Sequence, residues 1–248
     1  MRGVPDSYAP FYRGRGVRIS PELARAQHAA YADALRASGL SVHLIEADEA
    51  YPDCVFLEDP AVVWRGRALM GRLAPHREGE QPPVEAALSG WHELFRLPDG
   101  ARLEGGDVLH ARDTTYVGLT ARTDERGFRA LADFLAASGR RVVPVPVEKY
   151  LHLKTAVTYL GDGALVAAPE YVNTRHFEAE EVVPVEASEL GAANCLRLGR
   201  RLLVPAGYPA TERRLRRFAE RRGVEVVRLN ISEFEKGMGS LTCLSIIW

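Results

Sequence analysis

Thr155-Ala156-Val157-Thr158-Tyr159-Leu160-Gly161-Asp162-Gly163-Ala164-Leu165-Val166 reads as two short strands joined by a tight turn. Val157, Thr158 and Tyr159 favour extended backbone, and Gly161-Asp162-Gly163 supplies the turn. The pattern recurs on both sides. Upstream, Asp59 to Trp64 turns at Arg65-Gly66-Arg67 into Ala68-Leu69-Met70, and Gly106 to Leu109 turns near Arg112-Asp113 into Thr115 to Leu119. Downstream, Asn194 to Leu198 turns at Gly199-Arg200-Arg201 into Leu202-Leu203-Val204, and a fifth unit begins at Thr242-Cys243-Leu244-Ser245-Ile246. Amphipathic segments lie between the hairpins: Ser20-Pro21-Glu22 to Gly39, Pro83 to Phe95, Thr123 to Ala137 and Thr211 to Arg222. Ser20 suits a helix cap, Pro21 a first turn and Gly39 a stop. Ser41 to Ile45, Arg141 to Val145 and Val224 to Leu229 are expected to be strands.

Five repeats of hairpin, helix and strand predict an α/β fold closed into a five-bladed propeller with pseudo-fivefold symmetry, because a ring leaves few open sheet edges. A doubly wound sheet would also alternate helices and strands. It would not repeat hairpins, and Glu104-Gly105-Gly106-Asp107 lacks the spacing of a dinucleotide-binding loop. No polar linker divides the chain, so residues 1–248 are expected to form one catalytic domain.

A formal charge of −1 gives no footprint for nucleic acid or a membrane surface. No apolar run is long enough for a membrane span, and the first residues carry no signal core, so a cytoplasmic location is expected. Cys54, Cys195 and Cys243 are odd in number and lack metal spacing, which favours free thiols. The arginine run from Arg213 to Arg222 reads as one solvated helix face.

Residues able to do chemistry cluster at the hairpin starts, which a ring would bring together around its axis. Cys243 can act as a nucleophile; its apolar neighbours Leu241, Leu244 and Ile246 equally suit a buried core thiol. His152, among leucines, can move protons near neutral pH or simply pack, and Thr155 could orient it. Asp53, Glu58, Asp59, Glu104 and Asp107 form an acidic set whose partners are either arginines or a planar guanidinium ligand. Arg77 and Arg122 can hold a carboxylate by the same geometry.

These motifs resemble the dimethylarginine dimethylaminohydrolase family of guanidino-group-modifying enzymes. The likeness runs through Arg2 to Ser7, Pro52 to Asp59, Gly105 to Leu109, Gly118 to Thr123, Leu151 to Lys154 and Gly239 to Cys243. It implies the same propeller and a hydrolase that cuts the guanidinium C–N bond of Nω-methylated arginine, giving citrulline and a methylamine. Cys243 would attack the carbon, His152 would serve as acid and then base, and Glu104 would complete the catalytic set with Asp53 and Asp59 holding the guanidinium. Arg77 and Arg122 would bind the substrate carboxylate, and Glu58, Val4 and Gly237 would shape the amino-acid end. Neither metal nor organic cofactor is implied; the expected partner is a small guanidino compound, with a homodimer kept open. Met238 departs from the family pattern, which often places an acid five residues before the cysteine. Arginine deimination, amidino transfer and non-catalytic guanidino binding stand as alternatives, and the intact cysteine and histidine speak against the last.

Overall fold

A computed structural model describes residues 1–248. Helices α1 (Tyr8–Arg13) and α2 (Pro21–Ala37) open the chain, and the Ser20 side chain caps α2 by accepting from the Leu23 N–H at 3.2 Å. Four three-stranded sheets follow, each an antiparallel hairpin whose second strand pairs in parallel with a third. The first sheet holds β1 (Ala61–Trp64), β2 (Arg67–Met70), helix α3 (Gln81–Ser89) and β3 (Glu93–Arg96). The second holds β4 (Val108–Ala111), β5 (Thr114–Leu119), α4 (Glu125–Ala136) and β6 (Arg141–Pro146). The third has β7 (Val157–Gly161), β8 (Ala164–Ala167) and β9 (Glu181–Pro184), joined without an α-helix. The fourth has β10 (Leu196–Leu198), β11 (Arg201–Pro205), α5 (Pro209–Arg221) and β12 (Glu225–Leu229).

The fifth unit is split between the two ends of the chain. Arg2 bridges Ile45 in parallel, with Gly3 N–H to Ile45 O at 3.0 Å and Ile45 N–H to Met1 O at 2.9 Å. Arg2 and Ile45 thus stand where the second and third strands stand elsewhere, with α2 crossing between them. Ile246, Ile247 and Trp248 line one groove with Met1. The apolar core matches this plan, falling into five separate clusters instead of one. The chain is therefore the five-bladed α/β propeller that the repeats predict.

Three expectations shift in detail. The helix expected over Pro83 to Phe95 stops at Ser89, and Glu93–Arg96 instead extends as β3 along β2. Ser41 to Ile45 forms only the single bridge at Ile45. Left-handed backbone in the turns is carried by Arg65, Arg112 and Asp162 as well as by glycine, although a branched-off Cβ makes that region costly. The arginines of α5 do lie on its surface, Arg214 beside Glu186, Arg216 beside Glu212, and Arg221 and Arg222 sharing Glu181.

The inner strands face a central channel. Val62 of β1, Leu109 and His110 of β4, Thr158 and Tyr159 of β7, Leu196 and Arg197 of β10, and Ser245 line its cavities. Just before each inner strand the chain makes a short turn, and these turns carry Asp59, Glu104 to Asp107, His152, Asn194 and Cys243.

Candidate active site

Cys243 sits in the single turn Thr242–Leu244. Its carbonyl accepts from the Glu58 N–H at 3.1 Å, which ties the turn to the start of the first blade. The sulfur opens into a cleft of about 190 Å³ whose lining includes Asp53, Asp59, Arg77, Arg122, His152 and Gly237. Burial, followed by the negative charges of Glu58 and Asp59, pushes the Cys243 thiol up to about 12, with a hydrogen bond to the thiol from the Ser240 backbone and the charge of Lys154 pulling the other way. At neutral pH the resting group is a thiol, and a cation bound beside it favours the thiolate.

His152 is buried, and burial alone would lower its pKa. Asp59, a hydrogen bond to Glu104, and the charges of Asp107 and Glu104 outweigh that and raise it to about 9. The Nε2 atom lies 2.7 Å from Glu104 Oε2 and 3.8 Å from Asp59 Oδ1. An imidazolium held this way is a proton donor at neutral pH. Thr155, expected to orient the ring, instead gives only its backbone N–H to the His152 carbonyl; Glu104 does the orienting.

Glu104 is positioned by the start of α4. Asp124 caps that helix through Gly127 N–H at 2.9 Å and also accepts from Arg102 N–H, while Thr123 Oγ1 accepts from Glu104 N–H. A side chain at Gly127 would begin 1.8 Å from the Arg102 carbonyl, so glycine lets the helix close on the Glu104 segment. Asp107 lies behind the cleft and does not line it. It accepts from Thr120, Thr123 and the Leu153 N–H, and so pins the turn that carries His152. Burial raises its pKa to about 6, against the charge of His152 and these bonds. Gly106 leaves room for the imidazole: a Cβ there would stand 2.6 Å from His152 Nδ1.

Other expected residues fall in different places. Arg77 reaches the cleft, but its paired donors are already taken. Nε and Nη2 grip Glu80 at 2.9 and 2.8 Å, Nη1 holds Asp59 at 2.8 Å, and Nη2 also meets the Phe56 carbonyl at 3.0 Å. A second two-pronged grip, on a substrate carboxylate, is not open to it. The charges of His152 and Arg77 hold Asp59 ionised, below the ordinary aspartate range, although burial pushes the other way. Arg122 is freer: its guanidinium is about a quarter exposed and stands 3.6 Å from Glu104 Oε1.

Glu58 does not face the Cys243 cleft. It lies on the channel side, against Lys154 at 2.5 Å and Thr242 Oγ1 at 2.8 Å. Both residues lie in the turn before β1, where Asp59 meets Arg77 and His152 on the cleft side and Glu58 meets Lys154 and Thr242 on the other. Val4 also lies outside the cleft lining and packs on the cluster of Tyr8 and Phe56. Gly237 lines the cleft and offers its carbonyl to Tyr12. Met238, between two glycines, adopts a left-handed backbone at φ 63° and is exposed at the rim. Cys54 and Cys195 are buried free thiols away from the cleft.

Four contributors went unread in the sequence: Tyr12, Glu80, Asn194 and Lys154. Asn194 bonds Thr242 N–H, Thr242 Oγ1 and the Lys154 carbonyl, bracing the cysteine turn. Its position at the head of the fourth hairpin was the available signal. Asp59, Glu104 and His152 bring potential ligand atoms within 4.8 Å of one another, a set that could contact a cation. The channel-side cavity, about 370 Å³, is larger than the cleft; its lining includes Lys154 and Cys195 but neither Cys243 nor His152. No helix is long and apolar enough to cross a membrane.

The family described as N,N dimethylarginine dimethylhydrolase, eukaryotic, matches residues 12–246. An N(G),N(G)-dimethylarginine dimethylaminohydrolase of Streptomyces coelicolor is 38% identical over 92% of this chain and 87% of its own length. The enzyme of that name from Pseudomonas aeruginosa is 33% identical over 91% and 89%. Among solved structures, a dimethylarginine dimethylaminohydrolase adduct with 4-chloro-2-hydroxymethylpyridine superposes with a TM-score of 0.87 at 31% identity, covering 98% of this chain and 96% of the other. A cysteine-to-serine variant of the Pseudomonas aeruginosa enzyme, complexed with citrulline, gives 0.85 at 29% identity over 98% and 95%.

Proposed function

Because this chain belongs to the dimethylarginine dimethylaminohydrolase family, we propose that it hydrolyses Nω-methylated arginine to citrulline and a methylamine, with Cys243 as nucleophile. The observation that carries this is the meeting of Cys243, His152 and ionised Asp59 in one cleft, with Glu104 bonded to His152 behind it. The guanidinium brings the positive charge that a thiol at about 12 lacks. Asp59 and Glu104 orient it, the thiol gives up its proton to solvent, and the thiolate adds to the central carbon. The departing nitrogen takes its proton from His152 and leaves as methylamine or dimethylamine, so the carbon stays bonded to sulfur as a thiouronium. Neutral His152 then removes a proton from water, hydroxide adds to the same carbon, and the C–S bond breaks as the new hydroxyl loses its proton to solvent, where the released amine takes one up, giving citrulline and the thiolate. Arg122 holds the carboxylate, and Gly237 lines the tail.

The site draws on residues from Phe11 to Cys243, which supports residues 1–248 acting as one catalytic domain. A cytoplasmic location is supported by three free thiols, and a homodimer belongs to the same proposal. The test is to incubate the purified protein with Nω,Nω-dimethylarginine and with arginine, then to quantify citrulline, dimethylamine and ammonia. Citrulline with dimethylamine is the expected result. Release of ammonia from arginine alone would convert the reading to deimination, and no citrulline from either would reject it.

A further inference from the structure

The Tyr12 hydroxyl lies 2.8 Å from Asp53 Oδ1 and 3.1 Å from the Gly237 carbonyl oxygen. Two acceptors therefore converge on a group with one proton to give, whereas an ammonium carries three. Tyr12 is buried and wedged edge-on between Tyr8 and Phe11, with ring centroids 5.1 Å away in each case. Gly237 is packed just as closely, since a Cβ there would start 2.5 Å from the Tyr8 hydroxyl and 3.0 Å from the Tyr12 ring. The remaining groups on that part of the cleft offer no carboxylate: Arg15, Arg122, His76, Phe11 and Met238. Apart from Asp53, the lining carboxylate is Asp59, already held by Arg77 and close to His152.

Resting on the hydrolase reading above, we propose that Tyr12 determines tail specificity: its hydroxyl occupies the place of an α-ammonium between Asp53 and Gly237, so the enzyme also accepts guanidino acids that lack one. An amino-acid substrate has to displace the hydroxyl from both acceptors before its ammonium can bind. A des-amino guanidino acid keeps the carboxylate that Arg122 can hold and leaves Tyr12 in place. The acceptors are then satisfied in either complex, and discrimination between the two substrates is small.

Two probes of equal length test this: Nω-methyl-L-arginine, and 5-(N′-methylguanidino)pentanoate, which differs only in lacking the α-ammonium. In the wild type, the two kcat/KM values are expected to lie within about tenfold. Tyr12→Phe preserves the ring packing and frees both acceptors, so the ratio should move about tenfold toward methylarginine, the scale of a charged hydrogen bond. Calorimetry on Cys243→Ser, with and without Tyr12→Phe, reads the same ratio as affinities without turnover. A wild type that prefers methylarginine by a hundredfold or more would overturn the proposal. So would a ratio that Tyr12→Phe leaves still or moves toward the des-amino acid. Absence of wild-type turnover on both probes rejects the hydrolase reading separately, because the binding ratio still reports on Tyr12.

Discussion

Replacing Glu104 by glutamine keeps the size of the side chain and removes one charge from His152. The imidazole stands at about 9 against an ordinary 6.5. That difference corresponds to about 3 kcal/mol favouring the protonated form in the folded protein. Because the folded pKa lies above the unfolded one, this stabilisation is complete below about pH 6.5 and is lost as pH rises through about 9. The contact with Glu104 is a charged hydrogen bond of 2.7 Å, a kind worth about 1.5–3 kcal/mol. In Glu104→Gln, His152 should therefore titrate about one to two units lower. Asp59 and Asp107 still hold part of the shift. Imidazole NMR gives the titration directly, and urea midpoints at about pH 6 and about pH 9.5 give the linked stability. The fall in stability between those two conditions should shrink in the variant. A wild-type His152 titrating near 6.5, or a fall that Glu104→Gln leaves unchanged, would refute the electrostatic account of the pair.

Cys243→Ser should abolish turnover while Cys195→Ser keeps substantial activity, measured by citrulline release; comparable losses would point to general thiol sensitivity. Arg77→Ala removes a buried partner of Asp59 and Glu80 and should cost about 3–5 kcal/mol of stability in denaturant. Arg122→Ala should instead raise KM about tenfold or more with little change in stability; the reverse partition would return the carboxylate grip to Arg77. Gly106→Ala places a methyl 2.6 Å from His152 Nδ1 and 2.9 Å from Asp59 Oδ1, so kcat should collapse while the unfolding transition survives. Wild-type kcat in that variant would show that the imidazole has room to move.

Much of this architecture was legible in the residues. The hairpins announced themselves through β-branched runs broken by Gly66, Gly161-Asp162-Gly163 and Gly199, and their number gave the ring. Cys243, His152, Glu104, Asp53 and Asp59 meet because equivalent turns of a ring converge, so repeat position carried spatial information. The third strands were harder. Glu93–Arg96 follows an amphipathic helix with only Gly90 to stop it, and Glu181–Pro184 follows a connection without an α-helix. Their pairing is set by long-range contact with β2 and β8. Arg77 illustrates the limit within the site. Its sequence neighbourhood shows an available guanidinium, whereas the fold closes Glu80 and Asp59 around it. Glu58 and Val4 fall outside the cleft for reasons the residue types do not carry: the turn before β1 sends Asp59 and Glu58 to opposite sides, and Val4 packs on the Tyr8 and Phe56 cluster.

The two turns leave the reaction chamber with a wall only one backbone thick. Asp59 and Cys243 look into the chamber, while their neighbours Glu58 and Thr242 look out of its rear. Glu58 still raises the Cys243 thiol through that wall, and Lys154 lowers it. The rear surface is therefore a tuning knob for nucleophilicity, physically separate from the surfaces that recognise substrate. Exchanges at Lys154 or Glu58 offer a protein engineer, or natural drift, a way to reset the resting protonation of the thiol without recarving the chamber that reads the ligand.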